Sequence, residues 1–444
     1  MGHYKRCLEQ QELEERDGQA AASSGADNLS MDVLAQPRMY PQSEHACQTI
    51  ESLDNSEEDI ITQGMAASRG WKAQFETTLV HLARDSPEPF TAMRRLGGGG
   101  EGIIHETRLA DVPLAWKRTY TKRLGGRALN EVAIMANLSG QRHKHIVQLI
   151  GAYTHQQRRG YEIGLLIFPV AHCDLAALLH DMDNLGSWIE RGSEVSRIKQ
   201  EQLQDGALSA VEMLSTFSSK TLTPLSIHSE EDIQALWKVL QQYLCRSFVC
   251  MTQAVAYLHR NQIRHKDLKP SQFLLSPNGL WLTDFGWSTD TSALSHSATS
   301  NGDNITFRYQ APERAMKGSC SRSEDVFSLG CTFLEMGIHL TESRDWPRQD
   351  SRIMAGAKWS FQNNLAEIKT WLLPFSGDRD RRLPLLARII EQMMQREPKN
   401  RPTIDRIIEA FSYKDFADAS RSECYGSFFE LCCKPLEGPW TESE

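Results

Sequence analysis

Asp267 stands two residues before Lys269 in the run His265-Lys266-Asp267-Leu268-Lys269-Pro270-Ser271-Gln272. A carboxylate so placed can orient a hydroxyl and accept its proton, and a lysine two positions on can neutralise charge on a phosphoryl group in transit. Gln272 ends the run with an amide oxygen able to meet a hard cation. Asp284-Phe285-Gly286 follows, after the strand-like Leu280-Trp281-Leu282. An aspartate there can chelate a magnesium ion bridging phosphates, and the glycine lets the backbone turn. Residue types in this order suit phosphoryl transfer, which is mostly positioning and electrostatics.

Phosphates also need a cradle. Gly97, Gly99 and Gly102 lie in Leu96-Gly97-Gly98-Gly99-Gly100-Glu101-Gly102-Ile103-Ile104, a GxGxxG string. Glycines let backbone N–H groups approach phosphate oxygens closely. Glycine strings also occur as plain flexible loops, so the string alone is weak evidence. Strand-like residues follow it rather than a helix, which argues against a dinucleotide-binding turn and suits a strand–turn–strand flap. Lys117 ends the strand-like Leu114-Ala115-Trp116-Lys117. A lone lysine at a strand end is ordinarily a surface residue. One that grips two phosphates must be held in place, and Glu131 on the next helix can hold it by ion pairing.

The elements that must position these groups can be read from periodicity. Strands are expected at Thr91–Leu96, Pro113–Thr119, His145–Tyr153 and Gly164–Pro169, with a helix at Leu129–Leu138. Past Asp174 the pattern turns helical, with a long amphipathic helix over Ile233–His259 that carries Leu236, Leu240, Leu244, Phe248, Met251, Val255 and Leu258 on one face. Further helices are expected at 324–340, 363–375, 384–396 and 403–411. Residues 1–70 are poor in aromatics and sustained periodicity and are expected to be a disordered extension. Trp71, Phe75, Leu79, Val80 and Leu82 have helical spacing and predict a short helix at 71–89 on the domain edge. Residues 183–233 lose periodicity and read as a mobile insert. Residues 413–444 form a tail whose aromatic and apolar side chains predict packing against the domain.

The chain has 444 residues, 40% hydrophobic and 24% charged, with a formal net charge of -8. This is ordinary for a soluble globular protein and suggests no nucleic-acid or anionic-membrane surface. No apolar run is long enough to span a membrane, and the first residues lack an apolar signal core. Gly2 follows Met1, but Arg6 stands where a myristoylation signal needs Ser or Thr. The ten cysteines include no CxxC pair and read as reduced thiols, most of them core residues. The expected location is intracellular, cytoplasmic or nuclear.

Together, the glycine flap, Lys117, Glu131, the catalytic-type loop, Asp284-Phe285-Gly286 and Ala311-Pro312-Glu313 fall in an order that resembles the eukaryotic protein kinase family over about residues 90–412. The resemblance implies an α+β, two-lobe protein kinase-like fold. It has a small β-rich N-lobe with one helix (about 90–170) and a larger helical C-lobe (about 171–412). It implies ATP in the cleft with Mg²⁺, and protein Ser/Thr hydroxyls as acceptors, since a lysine two after the aspartate is typical of Ser/Thr-directed members. On this reading Asp267 and Lys269 are catalytic, Lys117 and Glu131 position ATP, and Asp284 and Gln272 bind metal. Ile104, Ala115 and Leu274 sandwich adenine, and Pro169, Val170 and Ala171 give the hinge backbone, with Ile167 or Phe168 as gatekeeper. Thr306 shapes the site for a Ser/Thr hydroxyl, Glu313 pairs with Arg401, and Asp325 anchors the catalytic loop. Three residues depart from the family pattern. Lys266 replaces an arginine, Ile305 a glycine and Gln272 the metal-binding asparagine. The intact aspartates and lysines point to an active enzyme; Gln272 keeps open a pseudokinase acting as scaffold or allosteric nucleotide binder. Ser288, Thr289, Thr291, Ser292, Ser295, Ser297, Thr299 and Ser300 crowd the segment after Asp284 and are phosphorylation candidates. The extension and the insert are candidates for partner binding.

Overall fold

The computed structural model describes residues 55–99, 102–140, 142–191, 230–276, 279–292, 307–341, 360–376 and 382–412, with Phe428 and Cys433. Expectations for residues 1–54, most of the insert and most of the tail fall outside these, as do those for Thr306 and for Ser295, Ser297, Thr299 and Ser300.

A six-stranded sheet forms the small lobe. Its strands are β1 (Leu79–Leu82), β2 (Arg95–Gly99), β3 (Gly102–Leu109), β4 (Val112–Thr121), β5 (Gln148–Gln157) and β6 (Gly160–Phe168). Their spatial order is β1-β5-β6-β4-β3-β2, and every pairing is antiparallel except β1 with β5. Two helices flank the sheet: α1 (Asn55–Gln74) and α2 (Gly126–Gly140). Val132 and Met135 of α2 belong to one core with Leu149, Leu165 and Ile167. Ala67 and Trp71 of α1 belong to another with Phe90, Trp116, Tyr153 and Phe168.

α1 corrects the expectation that residues 1–70 are disordered, and adds a second helix to the lobe. Its inward stripe is Ile60, Gly64, Ala67 and Trp71, at helical spacing but built mostly of small residues. Small side chains carry little hydrophobic signal, yet they allow close approach. Trp71 is fully buried, and a Cβ on Gly151 of β5 would lie 2.1 Å from its ring. Its indole Nε1 donates to the Thr77 carbonyl at 2.8 Å. The helix expected at 71–89 therefore ends at Gln74, and residues 79–82 become β1. A four-residue apolar run does not fix its own conformation, and the edge of β5 supplies the deciding main-chain hydrogen bonds. The ordered unit thus starts upstream of residue 90.

Next come β7 (Cys173–Asp174), α3 (Leu175–Arg191), α4 (Glu230–Arg260), β8 (Ile263–Arg264), β9 (Phe273–Ser276), β10 (Gly279–Leu282) and β11 (Thr289–Asp290). Helices α5 (Ser323–Ile338), α6 (Arg382–Met393) and α7 (Ile404–Phe411) complete the large lobe, with short turns at Pro312–Ala315 and Ile368–Leu372. The insert expected at 183–233 is narrowed at both ends, because α3 runs to Arg191 and α4 starts at Glu230. Leu185, fully buried, continues the stripe of Leu178 and Met182. Every residue of α5 from Glu324 to Ile338 is buried, so this helix is the core of the lobe. Phe333 of α5 meets Phe248 of α4 edge-on at 4.8 Å between centroids, and Phe428 of the tail stacks on Phe411 at 5.8 Å. At this point the tail packs, as its aromatic content predicts. No described helix is long and apolar enough to cross a membrane.

Candidate active site

The site lies between the sheet and the large lobe. β2 and β3 form the flap, with Gly97 opposite Ile104, Gly98 opposite Ile103 and Gly99 opposite Gly102. Gly102 has φ +144, and a Cβ there would meet the Arg118 carbonyl oxygen at 2.2 Å. Only glycine fits this position. β4 pairs Lys117 with Ile104 on one side and Leu165 on the other, and pairs Ala115 with Ile167. Cross-strand partners share a face, so Ile104, Ala115, Lys117 and Ile167 all look the same way. Phe168 belongs to the opposite core under α1. Of the two gatekeeper candidates, Ile167 therefore lies on the cleft side.

Lys117 is the electrostatic centre. Its Nζ donates to Glu131 Oε1 at 2.7 Å and to Asp284 Oδ1 at 2.8 Å. Burial alone would push the ammonium towards neutrality, but the two carboxylates outweigh this and hold its pKa above the ordinary lysine value. Burial would likewise raise the Asp284 carboxyl, and Lys117 reverses that, keeping it ionised below its usual range. Gln272 Nε2 donates to Asp284 Oδ2 at 3.2 Å. Four predicted residues thus form one connected group.

Asp267 and Lys269 form a second group, with Lys269 Nζ donating to Asp267 Oδ2 at 2.6 Å. Asp267 is buried, beside a small pocket lined by Tyr309, Ala311, Arg314 and Ser328. The loop that carries it hangs from Asp325, near the N-terminus of α5. The amides of His265 and Lys266 donate to its two oxygens at 2.9 and 2.8 Å, and His259 Nε2 lies 3.0 Å from Oδ2. Burial would raise this carboxyl; His259 and the loop amides instead hold it well below the usual carboxylate range. Lys266 has φ 69 and Asp284 φ 63, conformations that cost energy outside glycine. The bond from the Lys266 amide to Asp325 compensates the first. Asp325 thus receives both loop amides, at the position where the sequence expects the loop's anchor.

Glu313 and Arg401 join in a bidentate pair at 2.7 and 2.8 Å, both buried, and Arg401 also donates to the carbonyls of Gln395, Arg396 and Ser323. This clamps the Pro312–Ala315 turn under the lobe. Pro169, Val170 and Ala171 are half-buried in the link from β6 to β7, and Leu274 on β9 is half-buried opposite Asp174. Phe285 is fully buried, its ring 5.4 Å from that of His265.

Two contributors escape the sequence reading. His259 supports Asp325, and Asn130 Nδ2 donates to the Ser288 carbonyl at 2.9 Å, tying α2 to the segment after Asp284. Their partners lie 66 and 158 residues away, and no local pattern announces such pairs.

Residues 226–411 match the family model described as protein kinase domain. The chain is 38% identical over 97 residues to dual specificity protein kinase zak2 of Dictyostelium discoideum, covering 19% of this chain and 14% of that one. It is 25% identical over 353 residues to cysteine-rich receptor-like protein kinase 27 of Arabidopsis thaliana, covering 76% and 44%. It is 26% identical over 186 residues to mitogen-activated protein kinase kinase kinase 2 of the same plant, covering 42% and 27%. The chain spans less than half the length of each of these relatives. The match begins just before α4, so the glycine flap and Lys117 lie upstream of it and rest on the structure. The two-lobe fold and the Lys117–Glu131–Asp284 group agree with that match, and over residues 226–411 the chain is similar to the protein kinase domain family.

Proposed function

We propose that this chain is an ATP- and Mg²⁺-dependent protein kinase that phosphorylates Ser and Thr hydroxyls. The observation that carries the reading is the paired state of Lys117, bonded at once to Glu131 and Asp284. A lysine held charged in this way can fix phosphate oxygens. Asp267 would orient the acceptor hydroxyl and accept its proton, and Lys269, already bonded to Asp267, would offset charge on the transferred group. The glycine-rich β2 and β3 strands would bring main-chain donors towards the phosphates. Ile104, Ala115 and Leu274 supply apolar contacts for a planar base.

The donor set near Asp284 suits a hard cation. Asp284 brings an ionised, partly exposed carboxylate, and Gln272, whose amide nitrogen now donates to it, would bring its carboxamide oxygen on turning over the amide. Mg²⁺ uses few protein oxygens and keeps several waters, so one carboxylate and one amide are a sufficient protein share. Bound there, the ion would neutralise phosphate charge.

The test is phosphate incorporation from labelled ATP into a mixed Ser, Thr and Tyr peptide pool. Asp267→Asn should lower the rate by about 10²–10⁴-fold, the range for loss of a general base. Phosphoamino-acid analysis should find serine and threonine. Equal incorporation by wild type and Asp267→Asn would overturn the reading. A second reading, a nucleotide-binding scaffold without transfer, draws on the Gln272 contact, which engages the Asp284 oxygen a metal would need. A thermal shift with ATP and Mg²⁺, but no incorporation, would select it.

A further inference from the structure

Outside the Lys117–Asp284 group, His145, Cys250 and Cys433 converge among buried residues, with His145 beside the β10 strand that leads to Asp284. All three are buried, and one ligand atom from each lies within 4.8 Å of the others. They come from three separate parts of the chain. His145 precedes β5, Cys250 is in the middle of α4, and Cys433 is in the tail. His145 Nε2 is 3.1 Å from Cys433 Sγ, and the two sulfurs are 3.9 Å apart. Tetrahedral zinc with bonds of ~2.3 Å to sulfur and ~2.0 Å to nitrogen would place two thiolates ~3.8 Å apart and a thiolate and an imidazole ~3.5 Å apart. The sulfur–sulfur spacing of 3.9 Å matches, and the nitrogen–sulfur contact of 3.1 Å would lengthen by ~0.4 Å on binding the ion. A disulfide needs sulfurs at ~2.05 Å, far shorter than observed.

The imidazole is oriented for ligation. His145 Nδ1 lies 3.0 Å from the Leu280 carbonyl, which can only accept, so Nδ1 carries the proton. Nε2 then turns its lone pair towards Cys433 Sγ. A backbone carbonyl fixing the distal N–H is the usual support for a metal-bound histidine. Charge favours the same outcome. Two thiolates and a neutral imidazole around a divalent cation sum to zero, so the site carries no net charge into the apolar interior. A soft S₂N donor set selects zinc over the hard cation of the phosphate site.

We propose that His145, Cys250 and Cys433 form a structural Zn²⁺ site that fastens the C-terminal tail and the segment before β5 to α4. The fourth coordination position takes a small non-protein ligand such as water. The site is independent of phosphotransfer, and its test does not read activity.

The full-length chain, purified without chelators and under reducing conditions, should contain about one zinc per molecule by elemental analysis. After chelation, Co²⁺ added back to the wild type should give a thiolate-to-metal charge-transfer band in the near ultraviolet and intense visible bands typical of tetrahedral cobalt. Cys250→Ser and Cys433→Ser should each lose the zinc and the charge-transfer band. Cys320→Ser, at a buried cysteine outside the cluster, should keep both. The wild-type cobalt spectrum needs no variant to fold. The proposal is overturned by a wild type that takes up neither zinc nor cobalt, or by metal retained in Cys433→Ser. It is equally overturned by loss of metal in Cys320→Ser, or by a Cys250–Cys433 disulfide found by mass spectrometry in the reduced preparation.

Discussion

At Gln272, one methylene separates the side chain from the asparagine typical of the family. The longer arm reaches Asp284 and donates to it at 3.2 Å. That bond competes with metal for a carboxylate oxygen, and Mg²⁺ tolerates little deviation from octahedral geometry. Gln272→Asn should therefore lower the Mg²⁺ concentration for half-maximal phosphotransfer by roughly tenfold, equivalent to about 1.4 kcal/mol. A Mg²⁺ titration of both proteins checks this; superimposable curves would show that the glutamine already serves. At this scale the sequence pointed to residues that the structure brings together. Asp267, Lys269, Asp284 and Lys117 are charged residues that the structure pairs with one another or with Glu131, and most lie within a few positions of a telling neighbour. The residues around His145 were illegible for the opposite reason. Its sulfur partner is 288 positions away, and neither residue belongs to a recognisable spacing.

Among the elements, α1 carries the clearest energetic consequence. Trp71 fills the groove over Gly151 and touches Phe75 and Phe90, with ring centroids 4.5 and 6.2 Å away. Trp71→Ala would open a cavity between α1 and the sheet, costing about 3–5 kcal/mol as a buried aromatic truncation. Chemical denaturation of the two proteins measures it, and a loss below about 1 kcal/mol would mean that α1 hardly supports the sheet. The helix was hidden in the sequence because Gly64 and Ala67, which make the close contact, look like linker residues. The long α4 was readable because its apolar periodicity extends over many residues, whereas β2, glycine-rich and without such periodicity, starts at Arg95 and overlaps the strand expected at Thr91–Leu96 only at its end. β1 was not, since a four-residue run takes its conformation from β5 rather than from itself.

For the molecule as a whole, two carboxylates give opposite pH dependences. Asp325 has a folded pKa below the unfolded value of about 3.9, so its contribution is present above that pH and is lost as pH falls further. Asp181 on α3 is pushed up to about 6, chiefly by burial, with the neighbouring His180 opposing. Its folded form holds the proton more tightly than the unfolded chain, so stability is retained below about pH 4 and falls as pH rises through 6. The span of about two pKa units corresponds to on the order of 3 kcal/mol. Asp181→Asn should accordingly raise stability at pH 7 by up to that amount and change little at pH 4. Denaturation midpoints across this range test it, and an equal gain at both pH values would rule out ionisation as the cause. The two-lobe architecture was foreseeable from the order of motifs, whereas its upstream limit was not. That limit governs where the polypeptide can be cut. A fragment starting at Phe90 would retain every phosphate-binding residue, yet it would lose α1 and β1. The Gly151 groove, Tyr153 and Trp116 would then face water beside an unpaired β5 edge. Such an edge and apolar face invite self-association. A fragment beginning at Asn55 keeps both covered, and is the shorter form to choose for a monodisperse preparation.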